Sequence, residues 1–86
     1  MNITYDPAKN ERNITLRGLS FDLVADLDWE HANIVADTRY AYGEPRFIAY
    51  GYIGPSMYVI VYTPRAGSIR VISLRKANRK EVEKYG

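Results

Sequence analysis

Residues 57–80 read MYVIVYTPRAGSIRVISLRKANRK, and the rest of the chain is arranged around this stretch. Two β-branched runs, Met57 to Thr63 and Ser68 to Leu74, flank a Pro-Arg-Ala-Gly turn. Pro64 presets the φ that the first central turn position needs, and Gly67 takes the positive φ that returns the chain, so a hairpin is predicted. Between Glu44 and Glu81 the chain carries Arg46, Arg65, Arg70, Arg75, Lys76, Arg79 and Lys80 and no acidic residue. On any packing, then, this hairpin is positive.

The net charge of +2 conceals a division along the chain. Residues 1–43 hold four basic against seven acidic groups, and residues 44–86 hold eight against three. A cationic half-surface draws polyanions through phosphate neutralisation, whatever their sequence; the plain alternative is a solvated basic face without a ligand. Eighty-six residues, 47% of them hydrophobic, suffice for one domain with a single modest core. The absence of cysteine rules out disulfides and thiolate metal sites. No apolar run reaches membrane-spanning length, and MNITYDPAKN has neither the basic start nor the apolar core of a signal peptide, so a cytoplasmic protein is expected.

Taken in order, Ile3-Thr4-Tyr5 is a short extended start and Asp6-Pro7 opens a helix that runs to about Arg17 and ends at Gly18. Ser20 caps a second helix to about Asp28, with Phe21, Val24 and Ala25 on one stripe and Leu23 and Leu27 beside it. The pair has a helix-turn-helix outline only, because its exposed side carries Asp22, Asp26 and Asp28, which repel DNA. Trp29 to Ala32 is a turn, and the lone histidine, His31, is read there as structural. Strands are expected at Ile34–Asp37, Arg46–Ile53 and in the hairpin, with Thr38–Pro45 a loop and Asn78 capping a last helix, Arg79–Tyr85. Helices segregated from strands give an α+β fold: two N-terminal helices on one face of a three- to four-stranded antiparallel sheet, and a short C-terminal helix. Tyrosines and arginines are left on the other face.

Eight tyrosines are many for this length, and most lie in or near the basic half. Aromatic faces beside arginines are what single-stranded RNA recognition uses to stack bases while holding phosphates, although antiparallel sheets also favour half-buried tyrosines. On this basis Arg46, Tyr62, Lys76, Arg79 and Lys80 are candidate RNA-binding residues. Cutting RNA without a metal needs a group to take the 2′-OH proton, cations to stabilise the phosphorane, and a donor to the leaving oxygen. Arginine supplies the second with a forked, permanently charged donor set. With one histidine and scattered carboxylates, no metal site or cofactor is expected.

Several segments together resemble the BrnT family of type II toxins. They are Tyr5-Asp6-Pro7-Ala8-Lys9-Asn10, Gly18-Leu19-Ser20-Phe21, Tyr42-Gly43-Glu44 with Arg46, Val61-Tyr62-Thr63 with Arg65, and Ile69–Ala77 with Glu81 and Tyr85. The resemblance spans nearly the whole chain. It implies a RelE-like ribonuclease fold, growth arrest by RNA cleavage, and neutralisation by a cognate BrnA antitoxin that also binds operator DNA. It also places Lys9, Arg65, Arg70, Arg75 and Tyr85 as candidate catalytic residues, the cations among them holding phosphate, and Ser73 as a candidate RNA-binding residue. Many members carry His-Gly where this chain has Arg17-Gly18, and a guanidinium, always protonated, cannot act as a general base.

One geometric condition follows. In an unbroken strand Arg70 and Arg75 point to opposite faces, so a bulge or strand end near Ser73 is needed to bring both to one site. Three functions fit these residues: a metal-independent endoribonuclease toxin, a non-catalytic RNA-binding module, and an inactive toxin acting as co-repressor with its DNA-binding antitoxin.

Overall fold

The computed structural model describes residues 1–86. It contains strands β1 (Ile3–Tyr5), β2 (Asn33–Ala36), β3 (Phe47–Ile53), β4 (Ser56–Arg65) and β5 (Ser68–Lys76) and helices α1 (Pro7–Arg17) and α2 (Arg79–Tyr85). Two 3-10 turns, Phe21–Asp26 and Trp29–His31, link α1 to β2. The α+β class is as expected, but the sheet is larger than expected and mixed. Its five strands lie in the order β1-β5-β4-β3-β2. β1, expected only as an extended start, pairs in parallel with β5 through Ile3–Ile69, Thr4–Arg70 and Tyr5–Val71. The other pairings are antiparallel.

Local chemistry sets the ends of α1. Asp6 Oδ1 accepts the Ala8 N–H at 2.9 Å, Pro7 occupies the first turn, and Gly18 closes the helix in the left-handed region at φ 69°. The segment after it is a 3-10 turn rather than the second α-helix. Its buried residues, Phe21, Val24 and Leu27, recur every third position, and three residues per turn align them on one side. Ala25, expected on the apolar stripe, is exposed. The hairpin forms as read, except that Pro64 is the penultimate residue of β4, opposite Ile69, and Ala66-Gly67 makes the turn. β3 pairs with β4 only as far as Tyr62, so the missing N–H of Pro64 interrupts no ladder on that side.

The core lies between the 3-10 segment and one sheet face: Phe21, Val24 and Leu27 against Ala49, Ile60, Tyr62, Val71 and Leu74. Gly51 faces the same layer. A Cβ there would come within 3.1 Å of the Leu27 side chain and 3.2 Å of Ala32, so glycine permits the close approach that the Asp28 N–H to Tyr52 carbonyl bond of 2.9 Å requires. α1 is attached differently. Its only buried residue is Asn13, while Leu16 is 70% exposed. Asn10 Oδ1 accepts the Phe21 N–H at 2.8 Å, and Asn13 Nδ2 donates to the Leu19 carbonyl at 2.8 Å. Asparagine bonds thus take the place of an apolar stripe.

Asn13→Ala should destabilise the protein by about 1–3 kcal/mol, the usual penalty for leaving a buried polar group unpaired. A fall in the urea midpoint with an unchanged slope is the expected result.

Candidate nucleic-acid interface

The condition on Arg70 and Arg75 is met by a bulge in β5. Val61 pairs with Ser73 but Tyr62 pairs with Val71, leaving Ile72 as the extra residue. Arg70, Ser73 and Arg75 therefore lie opposite Thr63, Val61 and Val59, all on the face away from the core layer. Positions 59 and 63 are about 13 Å apart along β4. The two guanidiniums thus suit neighbouring stretches of an extended backbone rather than one oxygen.

Three rows of side chains cross this face. At one end Asp37 and Arg46 are joined by the Asp37 N–H to Arg46 carbonyl bond of 2.8 Å, and Thr63, Arg70 and Thr4 continue the row. Val35, Ile48, Val61 and Ser73 form the middle row, and Asn33, Tyr50, Val59 and Arg75 the third. α2 covers the third row. Tyr85 stacks on Tyr50 with ring centroids 3.8 Å apart, Asn33 Nδ2 donates to the Tyr85 carbonyl at 2.9 Å, and Arg75 grips both Glu81 oxygens at 2.7 Å.

The arginines divide by partner. Arg65 pairs with Glu44 at 3.0 Å, Arg75 with Glu81, and Arg79 with Glu83 at 3.2 Å within α2. Arg70 has no carboxylate partner, and neither has Arg46. The Arg46 guanidinium lies 3.9 Å over the Tyr42 ring, and its Nε is buried without an acceptor.

Beside Arg46 is a constellation not read from the sequence. Asp37, whose side chain is fully buried, is held by Arg39 at 2.8 and 2.9 Å and accepts the Tyr42 hydroxyl at 3.0 Å. These bonds, the Arg39 contact foremost, hold the Asp37 carboxyl far below the ordinary carboxylate range and raise Arg39 above its own. Asp37-x-Arg39 was the available signal, but in an Ile-Val-Ala-Asp run it reads as the end of a strand.

Other expected residues lie elsewhere. Tyr62 is a correction. It is on the core face, edge-on to Trp29 at 5.4 Å and 8% exposed, so it cannot stack a base; burial pushes its phenol pKa up. Lys76 pairs with Tyr58 and so belongs to the helix-layer side of the sheet. Arg79 and Lys80 are exposed on the first turn of α2. Lys9 is not on the arginine face either. It lines the protein's one cleft, of about 210 Å³, between α1 and β5, with Arg12, Asn13, Leu16, Arg17, Phe21, Ile72 and Ser73. Ser73 belongs both to this cleft and to the middle row of the sheet face.

No three His, Cys, Asp or Glu side chains converge as a metal-ligand set, and no helix is long and apolar enough to cross a membrane. The two carboxyls of the face with displaced pKa values, Asp37 and Glu81, are both displaced downward, Glu81 first by its bond to Arg75. Burial foremost raises the Tyr50 phenol. Electrostatically the face is therefore a guanidinium surface with carboxylates locked in their charged form.

A depressed folded-state pKa contributes stability that is present above the unfolded value, about 4 for Asp and Glu, and is lost as pH falls toward the folded value. Stability measured by urea titration should thus fall steeply below about pH 4. Asp37→Asn should flatten that acid limb relative to the parent, and an unchanged limb would contradict the assignment.

The chain matches no curated protein. The family model described as "Ribonuclease toxin, BrnT, of type II toxin-antitoxin system" matches residues 5–81. That match runs from the last residue of β1 to the first turn of α2 and includes the rows of the arginine face apart from Thr4. The chain belongs to the BrnT ribonuclease toxins of type II toxin-antitoxin systems.

Proposed function

We propose that this protein is an endoribonuclease that cuts RNA laid across the arginine face of the sheet and needs no metal ion to do so. The observation that carries the reading is that Arg46 and Arg70, in one row on either side of Thr63, lack carboxylate partners while their neighbours have them. Two strand spacings separate them, about 10 Å at the backbone, and both side chains are long enough to reach a phosphate held above Thr63.

In this reaction the 2′-oxygen attacks the adjacent phosphorus as its proton passes to a base. The P–O5′ bond breaks, and the departing 5′-oxygen takes a proton. A 2′,3′-cyclic phosphate and a 5′-hydroxyl end result. Arg46 and Arg70 stabilise the charge that builds on the phosphorane, where preorganised cations act most strongly. Arg75 and Arg65, each already shared with a glutamate, position the flanking backbone. Tyr85, stacked on Tyr50 over the third row, lies about 13 Å along the sheet from that phosphate and packs against the flanking backbone instead of serving the leaving oxygen.

Membership of a type II family implies an antitoxin protein as partner. We assign that role to a BrnA-type antitoxin whose acidic segment covers the arginine face, with operator DNA bound only through the complex. The reaction takes place in the cytoplasm, where such a pair would meet its RNA.

Induced without antitoxin, the protein should arrest bacterial growth and produce RNA fragments ending in cyclic phosphate. Arg46→Ala with Arg70→Ala should lower cleavage by about 10²–10³-fold, the usual cost of losing a transition-state charge partner, with little change in melting temperature. Tyr62→Phe should leave cleavage unchanged. RNA bound tightly but recovered intact would make the protein a binding module instead, and full toxicity in the double variant would remove the sheet face from the mechanism.

A further inference from the structure

Beyond the sheet face, the structure assigns a second RNA contact. We propose that the cleft between α1 and the bulge of β5 binds a phosphodiester of the same RNA strand, after that strand has crossed the edge of the sheet at Ser73. This inference rests on the ribonuclease reading and adds Arg12 and Arg17 as binding residues.

The cleft is lined by three cations, Lys9, Arg12 and Arg17, and by no carboxylate. None of the three is in an ion pair, whereas Arg39, Arg65, Arg75 and Arg79 are. Arg17 is held in place from below: its Nη1 donates at 2.9 Å to Oδ1 of Asn13, itself 4% exposed and anchored to the Leu19 carbonyl. A buried amide that fixes a guanidinium at the mouth of a cleft preorganises it for an anion. Leu16, Phe21 and Ile72 supply an apolar wall on which a sugar or base can rest. The space, about 210 Å³, is below the range of drug-sized pockets and suits one nucleotide better than a folded peptide segment.

Topology connects the cleft with the sheet face. β1 pairs only with Ile69–Val71, so from Ile72 onward the outer edge of β5 carries no neighbouring strand. The bulge begins at that point, and Ser73 opens onto both surfaces. An RNA backbone leaving Arg70 therefore meets an uncovered edge, a serine hydroxyl and then three free cations. Arg17, which cannot act as a base, has a defined task here as a phosphate ligand.

The test uses the full chain and a short 2′-O-methyl oligouridylate, which lacks the attacking hydroxyl, with binding followed by fluorescence anisotropy over a salt series. Arg12→Gln with Arg17→Gln should weaken binding about tenfold and reduce the log–log salt slope by about 0.7, the contribution of the one single-strand phosphate held in the cleft. Arg12→Lys with Arg17→Lys should restore most of the slope. Uridine 3′-monophosphate should shift the backbone amide resonances of Ile72 and Ser73 in the parent and not in the glutamine variant. That readout stands even where cleavage fails, so it separates this cleft from the ribonuclease reading. Unchanged affinity and slope in the glutamine variant would overturn the proposal. So would intact RNA binding with lost antitoxin affinity, which would make the cleft a protein contact.

Discussion

One extra residue in one strand governs the chemistry of this molecule. Because Ile72 is inserted opposite the Val61–Tyr62 step, the side-chain alternation of β5 reverses midway. Val71 and Leu74 both point into the core while Arg70, Ser73 and Arg75 share the opposite face. A strict period of two would send one of the two arginines into the layer occupied by Phe21 and Val24, where an unpaired charge costs several kcal/mol. Core and cationic surface can coexist on a nine-residue strand only with this interruption. The bulge also falls where β1 stops covering β5, and there the cleft opens.

Charges on that face are graded rather than uniform. Arg75 is shared with Glu81, which also accepts the Asn78 N–H and so closes the capping box of α2. One carboxylate thereby fixes a helix end and an arginine together. Arg65 and Arg39 are tied to Glu44 and Asp37, and Arg46 leans on a tyrosine ring. Arg70 is left with no carboxylate to satisfy it. Such grading keeps a strongly cationic sheet foldable without a bound polyanion, since repulsion among the guanidiniums is offset locally and only part of the field is directed outward.

What could be read from the sequence was local. Asp6-Pro7, Gly18, Asn78 with Glu81 and the hairpin glycine act within a few residues, and each lies where its short-range chemistry puts it. The positive charge of the second half was equally visible, because no acidic residue interrupts it. The parallel pairing of β1 with β5 was hidden because it joins residues more than sixty positions apart through Ile3, Thr4 and Tyr5, too few to show a pattern. The bulge could be stated only as a condition for Arg70 and Arg75 to share a face, because Val-Ile-Ser-Leu carries apolar groups in both phases and fixes no register. The 3-10 turn was missed because Phe21, Val24 and Leu27 satisfy a helical stripe and a three-residue period alike. Tyr62 was misplaced for a related reason: in a central strand apolar on both faces, alternation alone does not say which phase is buried.

The absent side chain at Gly51 acts as a ruler. It sets how deeply the Leu27–Ala32 segment sinks toward β3, and hence where Trp29 meets Tyr62 and where β2 departs along the sheet margin. Adding a methyl group would wedge the segment outward by a few tenths of an ångström and carry that shift to Asn33, the residue clasping the end of α2. The spacing of both layers is thus calibrated by a hydrogen atom.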